Sequence, residues 1–207
     1  MKISKKSETL LSNEHNPIES KEETQLWIEF LQGNDVALAE IYHRYAPKLF
    51  NYGRQFTGNI TLIQDAIQDT FFKLVDNKRK LNIAQSVKFY LYATFRRILL
   101  RSIKKEEKYV GKDYWQENGF QIMVDPDFFV LDGHWTEVQK KLLQNTCNAL
   151  PARQREIVTL RFFENMEYGE IADLMGLANA KTVRTMLYRG LKTMAEALNK
   201  AKKTFLF

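Results

Sequence analysis

Residues 150–191 read LPARQREIVTLRFFENMEYGEIADLMGLANAKTVRTMLYRGL, and the rest of the chain is organised around them. Leu150 and Pro151 predict the start of a helix, because proline suits the first turn, where its missing N–H has no partner. Tyr168 to Met175 predicts a second, shorter helix. Gly176 ends it, since glycine enters the left-handed backbone region at low cost. A third helix is predicted from about Ala180.

The third helix carries an apolar stripe and a basic remainder. Val183, Leu187 and Leu191 recur at i, i+4 and i+8, the spacing of a buried face. The other faces carry hydrogen-bond donors and no acid: Lys181, Arg184, Thr185, Tyr188, Arg189 and Lys192. A short helix, a turn and a basic second helix predict a helix-turn-helix that reads the DNA major groove. The alternative is a plain helical hairpin with a solvated basic face.

Composition narrows the class of protein. The 207 residues carry a formal net charge of +6, which suits a polyanionic partner. A single cysteine, Cys147, excludes an intramolecular disulfide, and the three histidines are too scattered for a zinc site. No segment approaches the roughly 18 apolar residues of a membrane helix, and no apolar core follows the N-terminal lysines. We therefore expect a cytoplasmic protein with no membrane insertion, no metal and no cofactor.

A helix predicted from about Ile60 to Val75 has two distinct faces. The apolar stripe contains Ile63, Ala66, Ile67, Phe71 and Leu74. The opposite side shows Asp65, Gln68, Asp69 and Phe72. Like charges four residues apart lower the stability of a helix, and an exposed phenylalanine on its own adds no stability from burial. This face therefore suggests a protein-binding surface, with a solvated acidic face as the equal alternative.

The segment SVKFYLYATFRRILLRSIKK, residues 86–105, predicts a helix without a single acid. Val87, Leu91 and Ile98 belong to its buried row. Cations and aromatic rings share the remaining surface: Lys88, Tyr90, Tyr92, Arg96, Arg97 and Arg101. Interleaved cations and rings suit melted nucleic acid, because cations follow phosphates while rings stack on unpaired bases. Buried aromatics beside a solvated basic edge are the alternative.

These segments predict an all-α protein with two small helical domains and a flexible acidic linker between them. We place a disordered tail at residues 1–21, the first domain at 22–105 and the linker at 106–133. The helix-turn-helix domain follows at 134–200, and a tail at 201–207. The linker is acidic, its glycines and proline break any helix, and both of its neighbours are basic. The excess positive charge therefore belongs to two separate modules.

The two modules together resemble the extracytoplasmic-function group of bacterial sigma-70-type sigma factors. DVALAEIYHRYAPKLFNYGRQFTGN and LIQDAIQDTFFKLVDN resemble the opening of region 2, and VKFYLYATFRRILLRSIKK resembles its promoter-reading end. LPARQREIVTLRFFENMEYGEIADLMG and TVRTMLYRGLKTMAEAL resemble region 4. The resemblance spans about residues 22–198, apart from the linker.

The resemblance implies a role for each surface. Asp65, Gln68, Asp69 and Phe72 would contact the clamp of the RNA polymerase core, and region 4 its flap. The helix that carries Lys88, Tyr90, Tyr92, Arg96, Arg97 and Arg101 would hold the melted minus-10 element. The face formed by Lys181, Arg184, Thr185, Tyr188 and Arg189 would read the minus-35 element. The resemblance also implies an anti-sigma factor as a partner.

The predicted function is therefore transcription initiation and not enzymatic catalysis. The protein would bind core polymerase, direct it to promoters and promote DNA melting. The alternative is a helix-turn-helix regulator that acts without polymerase; such a regulator does not need the Asp65, Asp69 and Phe72 face. A helical nuclease is a third possibility, but it needs clustered carboxylates for metal, and only Asp65 and Asp69 are suitably spaced.

Overall fold

The computed structural model describes residues 17–82, 86–110 and 136–204. Eight α-helices follow one another there, together with a short 3-10 turn, Lys78–Lys80, and a π turn, Thr159–Phe163. The helices are α1 Pro17–Gln32, α2 Asp35–Gly53, α3 Ile60–Asp76, α4 Val87–Val110, α5 Glu137–Asn148, α6 Ala152–Val158, α7 Tyr168–Met175 and α8 Ala180–Thr204. The described part of the chain contains no strand, so the predicted all-α class is confirmed.

Helices α1 to α4 form an N-terminal module around an apolar core. The predicted stripe of α3 is buried in full, and it packs mainly against α4. The C-terminal end of α2 packs tightly against both helices. An added Cβ at Gly53 would lie 2.8 Å from Cζ of Phe95 and 2.9 Å from Cγ2 of Ile63. Real Cβ atoms do not approach so closely, so only glycine fits this crossing without a shift of the core.

Two local features shape α2 in the N-terminal module. Asn34 caps the helix, and its side chain accepts hydrogen bonds from the backbone N–H of Val36 and Ala37. Pro47 lies inside α2 without ending it. Proline removes one backbone donor from a helix, but the apolar face on either side of Pro47, which includes Tyr45 and Leu49, is buried and holds the helix together.

Helices α5 to α8 form a C-terminal module with helix-turn-helix geometry. Gly176 ends α7 with a φ of 64°, as the sequence predicted. Asn179 caps α8, and its side chain accepts hydrogen bonds from the backbone N–H and the hydroxyl of Thr182. On α8, Val183 and Leu187 are fully buried and Leu191 is half-buried, so the predicted apolar stripe is confirmed.

Candidate nucleic-acid interface

The outer face of α8 presents all five residues predicted to read duplex DNA. Lys181, Arg184, Thr185, Tyr188 and Arg189 are exposed, and 54% of Tyr188 is accessible. The cap at Asn179 fixes the start of the helix and places Lys181 in its first turn. This face therefore combines three cations with a hydroxyl and a phenol, a donor-rich set suited to phosphates and to base edges.

One aromatic ring underlies the first arginine of this face. The guanidinium carbon of Arg184 lies 4.9 Å from the centroid of the Tyr168 ring, and that of Arg161 lies 4.8 Å from it. Arg161 is itself fixed, because it donates hydrogen bonds to the Met166 carbonyl and to the Glu167 carboxylate. Tyr168 thus restricts the rotamers of Arg184, which lowers the entropy lost when that side chain binds a ligand.

A groove of about 740 Å³ opens between the end of α3, the 3-10 turn and α4. Lys73, Lys80 and Arg97 supply positive charge, while Phe89 and Tyr90 supply aromatic surface. The Tyr90 hydroxyl donates a hydrogen bond of 3.3 Å to the Lys73 carbonyl, which joins the two helices at the groove. Rings and cations in one groove are the combination that holds single-stranded nucleic acid.

The groove contains only some of the residues predicted for melted DNA. Tyr90 and Arg97 line it, and Arg101 is exposed farther along α4. The prediction for Tyr92 is wrong: the side chain is fully buried, with its ring centroid 5.1 Å from that of Tyr52, and does not face solvent. The reason is that α4 is covered on two sides, whereas the sequence pattern was interpreted with one buried face.

Arg96 and Lys88 also differ from the prediction, because both contact the C-terminal module. Arg96 forms an ion pair of 2.7 Å with Glu156, and only 21% of its side chain is accessible. The Lys88 ammonium donates a 3.2 Å hydrogen bond to the Glu164 carbonyl. In this conformation neither cation is free to bind a phosphate.

Three cationic or aromatic residues that line the groove lay outside the predicted minus-10 set. Lys73 and Phe89 sit on predicted helices, and Lys80 lies in the polar segment after α3. The run Lys78-Arg79-Lys80 carried a signal, since three adjacent cations before an aromatic helix favour a polyanion site. Its position beside α4 depends on the turn after α3, which the sequence pattern did not predict.

The contacts between the two modules centre on the buried carboxylate of Glu156. Tyr52 donates its hydroxyl to Oε1 at 2.6 Å, and the Arg96 Nε donates to the same oxygen at 2.7 Å. Burial raises the pKa of Tyr52 well above its ordinary value, and Glu156 raises it further, so the phenol remains a donor. Burial lowers the pKa of Arg96, but the hydrogen bond and charge of Glu156 outweigh it and the pKa is raised.

The acidic face of α3 lies on the outside of the N-terminal module. Asp65, Gln68 and Asp69 are exposed, and Phe72 is 73% accessible. Val75, which the sequence analysis did not assign to this face, adds a second apolar side chain that is 48% accessible. An exposed aromatic ring among polar neighbours is typical of a protein-interaction site.

The described residues offer no metal centre and no reactive thiol. Within ranges 17–82, 86–110 and 136–204, no group of three histidine, cysteine or acidic side chains is arranged to hold a metal ion. Burial raises the pKa of the Cys147 thiol to about 11, so it remains protonated near neutral pH. None of the described helices is long and apolar enough to cross a membrane.

Comparison with known proteins assigns each module to a known region. A family model for sigma-70 region 2 matches residues 41–109, and a model for sigma-70 region 4 matches residues 140–194. The RNA polymerase sigma factor SigV of Bacillus subtilis (strain 168) is 28% identical over 137 residues, 66% of this chain and 75% of the relative. The ECF RNA polymerase sigma factor SigW of the same organism is 23% identical over 177 residues, 81% of this chain and 91% of the relative.

The arrangement of helices also resembles a solved structure. The sigma factor RpoE of Bartonella quintana, crystallised with the anti-sigma factor NepR, aligns with a TM-score of 0.58 at 19% identity. The alignment covers 78% of this chain and 96% of that one. At this level of identity, the likeness concerns the fold.

Proposed function

The chain belongs to the extracytoplasmic-function group of the sigma-70 family, and we propose how its surfaces divide the work of a transcription initiation factor. One observation carries the proposal. The N-terminal module presents an exposed acidic and aromatic face on α3 beside a basic, aromatic groove on α3 and α4. A factor that holds polymerase and melted DNA at the same time needs both, whereas a regulator that acts alone needs neither.

The α3 face is the proposed contact with the polymerase core. Phe72 and Val75 offer apolar area that water solvates poorly, and Asp65 and Asp69 add charge that orients a basic partner surface. Region 4 would contact the flap. Since polymerase works in the cytoplasm of the bacterial cell, we place this protein there. We assign it the role of a factor and not that of a catalyst.

The groove is the proposed site for the melted minus-10 strand. Phe89 and Tyr90 would stack on unpaired bases, while Lys73, Lys80 and Arg97 follow the phosphates. Lys88, Arg96 and Arg101 would extend this path once the modules separate. A site that prefers unpaired to paired bases shifts the equilibrium towards the open promoter, so binding by itself favours melting.

The outer face of α8 is the proposed reader of the minus-35 element. Lys181, Arg184, Thr185, Tyr188 and Arg189 would enter the major groove, with Arg184 held by Tyr168. Each module alone offers a small surface. Polymerase would hold both at the spacing of the two promoter elements, so that the second contact forms at high effective concentration. An anti-sigma factor that covers these faces is a proposed further partner.

Reconstitution with core polymerase tests the proposed function. The purified chain should co-purify with core enzyme and should support run-off transcription from a set of genomic promoters. The same chain without core should give no transcript and only weak promoter binding. If the chain does not bind core but binds a palindromic duplex as a dimer, it acts as a regulator without polymerase and the proposal is wrong.

Alanine at Arg184 or at Arg189 is expected to weaken promoter binding by about 1–3 kcal/mol where the side chain reads a base. The loss should depend on the minus-35 sequence and not on the minus-10 sequence. Run-off transcription from promoters that differ only at minus-35 measures it. Lys192→Ala is the control, because it removes another exposed cation from α8 outside the proposed reading face. Equal losses on all promoters would contradict base reading.

Tyr90→Ala is expected to impair promoter opening by about 1–3 kcal/mol, the value of one stacked base, with little effect on duplex binding. Permanganate footprinting of the melted segment measures opening, and gel shift at low temperature measures duplex binding. Tyr90→Phe is the matched control, because it keeps the ring and loses only the hydroxyl bond to Lys73. An unchanged footprint for Tyr90→Ala would contradict the proposed stacking.

A further inference from the structure

We propose that Tyr168 and Arg161, which lie outside the reading face of α8, are positioning residues that decide how well Arg184 discriminates among the bases of the minus-35 element. The proposal rests on the proposed function of that face. It places part of the sequence preference of the protein in the chain that leads into α7, and not in the helix that enters the major groove.

Arg184 has a long side chain, and its reach must be restricted before it can distinguish one base from another. Helix α8 fixes its backbone, but the side chain is exposed and an arginine carries much rotamer entropy. Bidentate contact with a base edge requires two donors in one plane, whereas a phosphate accepts a donor from many directions. A mobile guanidinium therefore exchanges base contacts for phosphate contacts and discriminates poorly.

The Tyr168 ring supplies this restriction. The guanidinium carbon of Arg184 lies 4.9 Å from the ring centroid, within the roughly 6 Å over which an aromatic face attracts a cation. Tyr168 begins α7 and Arg184 lies on α8, so the contact joins the two helices of the helix-turn-helix. The ring is half-buried and packs against the core. It therefore favours the rotamers that keep the guanidinium beside α7.

Arg161 fixes the start of α7 and, with it, the ring. Its Nη1 donates to the Met166 carbonyl at 2.9 Å and to Oε1 of Glu167 at 3.1 Å. Its guanidinium carbon lies 4.8 Å from the Tyr168 ring centroid, and only 11% of its side chain is accessible. Glu167 also closes a capping box with Glu170. The residue before Tyr168 is thus held both by an ion pair and by the helix cap.

The turn between Arg161 and Tyr168 has a conformation that brings the two side chains together. Asn165 adopts a φ of 51°, a left-handed conformation that asparagine tolerates better than most residues. The N–H of Met166, the next residue, donates to the Leu160 carbonyl at 2.9 Å. Such a backbone persists where the surrounding contacts fix it. Here it returns the chain to Arg161 immediately before α7 begins.

Two guanidinium groups beside one ring would ordinarily repel one another. The Glu167 carboxylate offsets this repulsion, because it forms an ion pair of 3.1 Å with Arg161. The charge of Arg161 is therefore balanced within the protein. The ring can then hold Arg184 as a second cation, whose donors are directed to DNA.

Holoenzyme reconstituted from core polymerase and the full chain tests the proposal. The template is a promoter library randomised across the minus-35 element, with a barcode in each transcribed region, so that sequencing the transcripts gives a base preference at every position. Arg184→Ala identifies the positions that Arg184 reads, since their preferences disappear. Tyr168→Leu should lower the preference at those same positions about two- to fivefold, the value of one cation–π contact at an exposed site, and leave the others unchanged.

Tyr168→Phe is the matched control, because it keeps the ring and loses only the hydroxyl; it should match wild type at every position. Arg161→Lys keeps the charge but not the planar group on the ring, so it should change the preference in the same direction as Tyr168→Leu. In an Arg184→Ala background, Tyr168→Leu should change no preference further, which a general loss of stability would not reproduce. Circular dichroism checks that each variant is folded.

The proposal is overturned if folded Tyr168→Leu lowers transcription equally from all promoters, because the ring then supports the fold or a phosphate contact and not base reading. Equal losses for Tyr168→Phe and Tyr168→Leu would also overturn it, since the hydroxyl would then be the contact. If Arg184→Ala leaves every preference intact, the proposed role of the α8 face fails as well. If Arg184→Ala removes a preference that Tyr168→Leu leaves intact, that role stands and the positioning does not.

Discussion

Trp27→Ala is expected to lower the free energy of unfolding by about 3–5 kcal/mol, the usual cost of removing a large aromatic side chain from a core. Only 1% of Trp27 is exposed, and its ring stacks on Phe30 with centroids 5.4 Å apart. Its indole N–H donates to the Asn82 carbonyl at 3.0 Å, across 55 residues of sequence. The side chain therefore joins α1 to Asn82, just after the 3-10 turn.

Urea denaturation followed by circular dichroism measures this loss. Trp27→Phe is the matched control, because it keeps an aromatic ring in the cavity and loses the indole donor; we expect it to cost less than half as much. A loss below about 1 kcal/mol for Trp27→Ala, the range of ordinary surface and minor core changes, would show that α1 contributes little to the module. A loss of the expected value of about 3–5 kcal/mol together with unchanged binding to core polymerase would show that α1 contributes to the stability of the module and not to that binding.

The helices that could be predicted from sequence are those with a single buried face. The α3 stripe and the α8 stripe follow the helical period, and burial matches them closely. The end of α7 at Gly176 was also predictable, because the left-handed conformation there follows from the residue type itself and not from distant contacts. The first residue of α2 is harder to predict, because Asn34 and Asp35 are adjacent and both residue types are good caps, while the backbone uses Asn34.

The candidate site was predictable in part, and α4 shows why. Its pattern contains rings and cations on several faces, and sequence alone does not show which face a second module will cover. Tyr92 was taken as a base-stacking residue and is buried. Arg96 was taken as a phosphate contact and is paired with a carboxylate 60 residues away. Such long-range partners leave no periodic signal, whereas the α3 and α8 faces, which remain uncovered, were predicted from their composition.

Asp69→Arg is expected to weaken core polymerase binding about a hundredfold or more, because like-charge contact at an interface costs several kcal/mol. Asp69 is exposed on the proposed clamp-binding face, so the change should alter the free energy of unfolding by less than about 0.5 kcal/mol. Any loss of binding then reports on the interface and not on the fold. Phe72, exposed on the same helix, would supply the apolar contact that the charge orients.

Competition against labelled wild-type chain for a limiting amount of core polymerase measures the affinity. Glu196→Arg is the matched control, because it makes the same charge reversal at an exposed glutamate of the other module. Wild type and Glu196→Arg should compete alike, while Asp69→Arg should fail at concentrations that suffice for both. Equal competition by all three would remove the α3 face from the polymerase interface, even if the chain still initiates transcription. Failure of Asp69→Arg alone would show that polymerase captures the chain through the exposed α3 face, where the charge of Asp69 and the ring of Phe72 lie together.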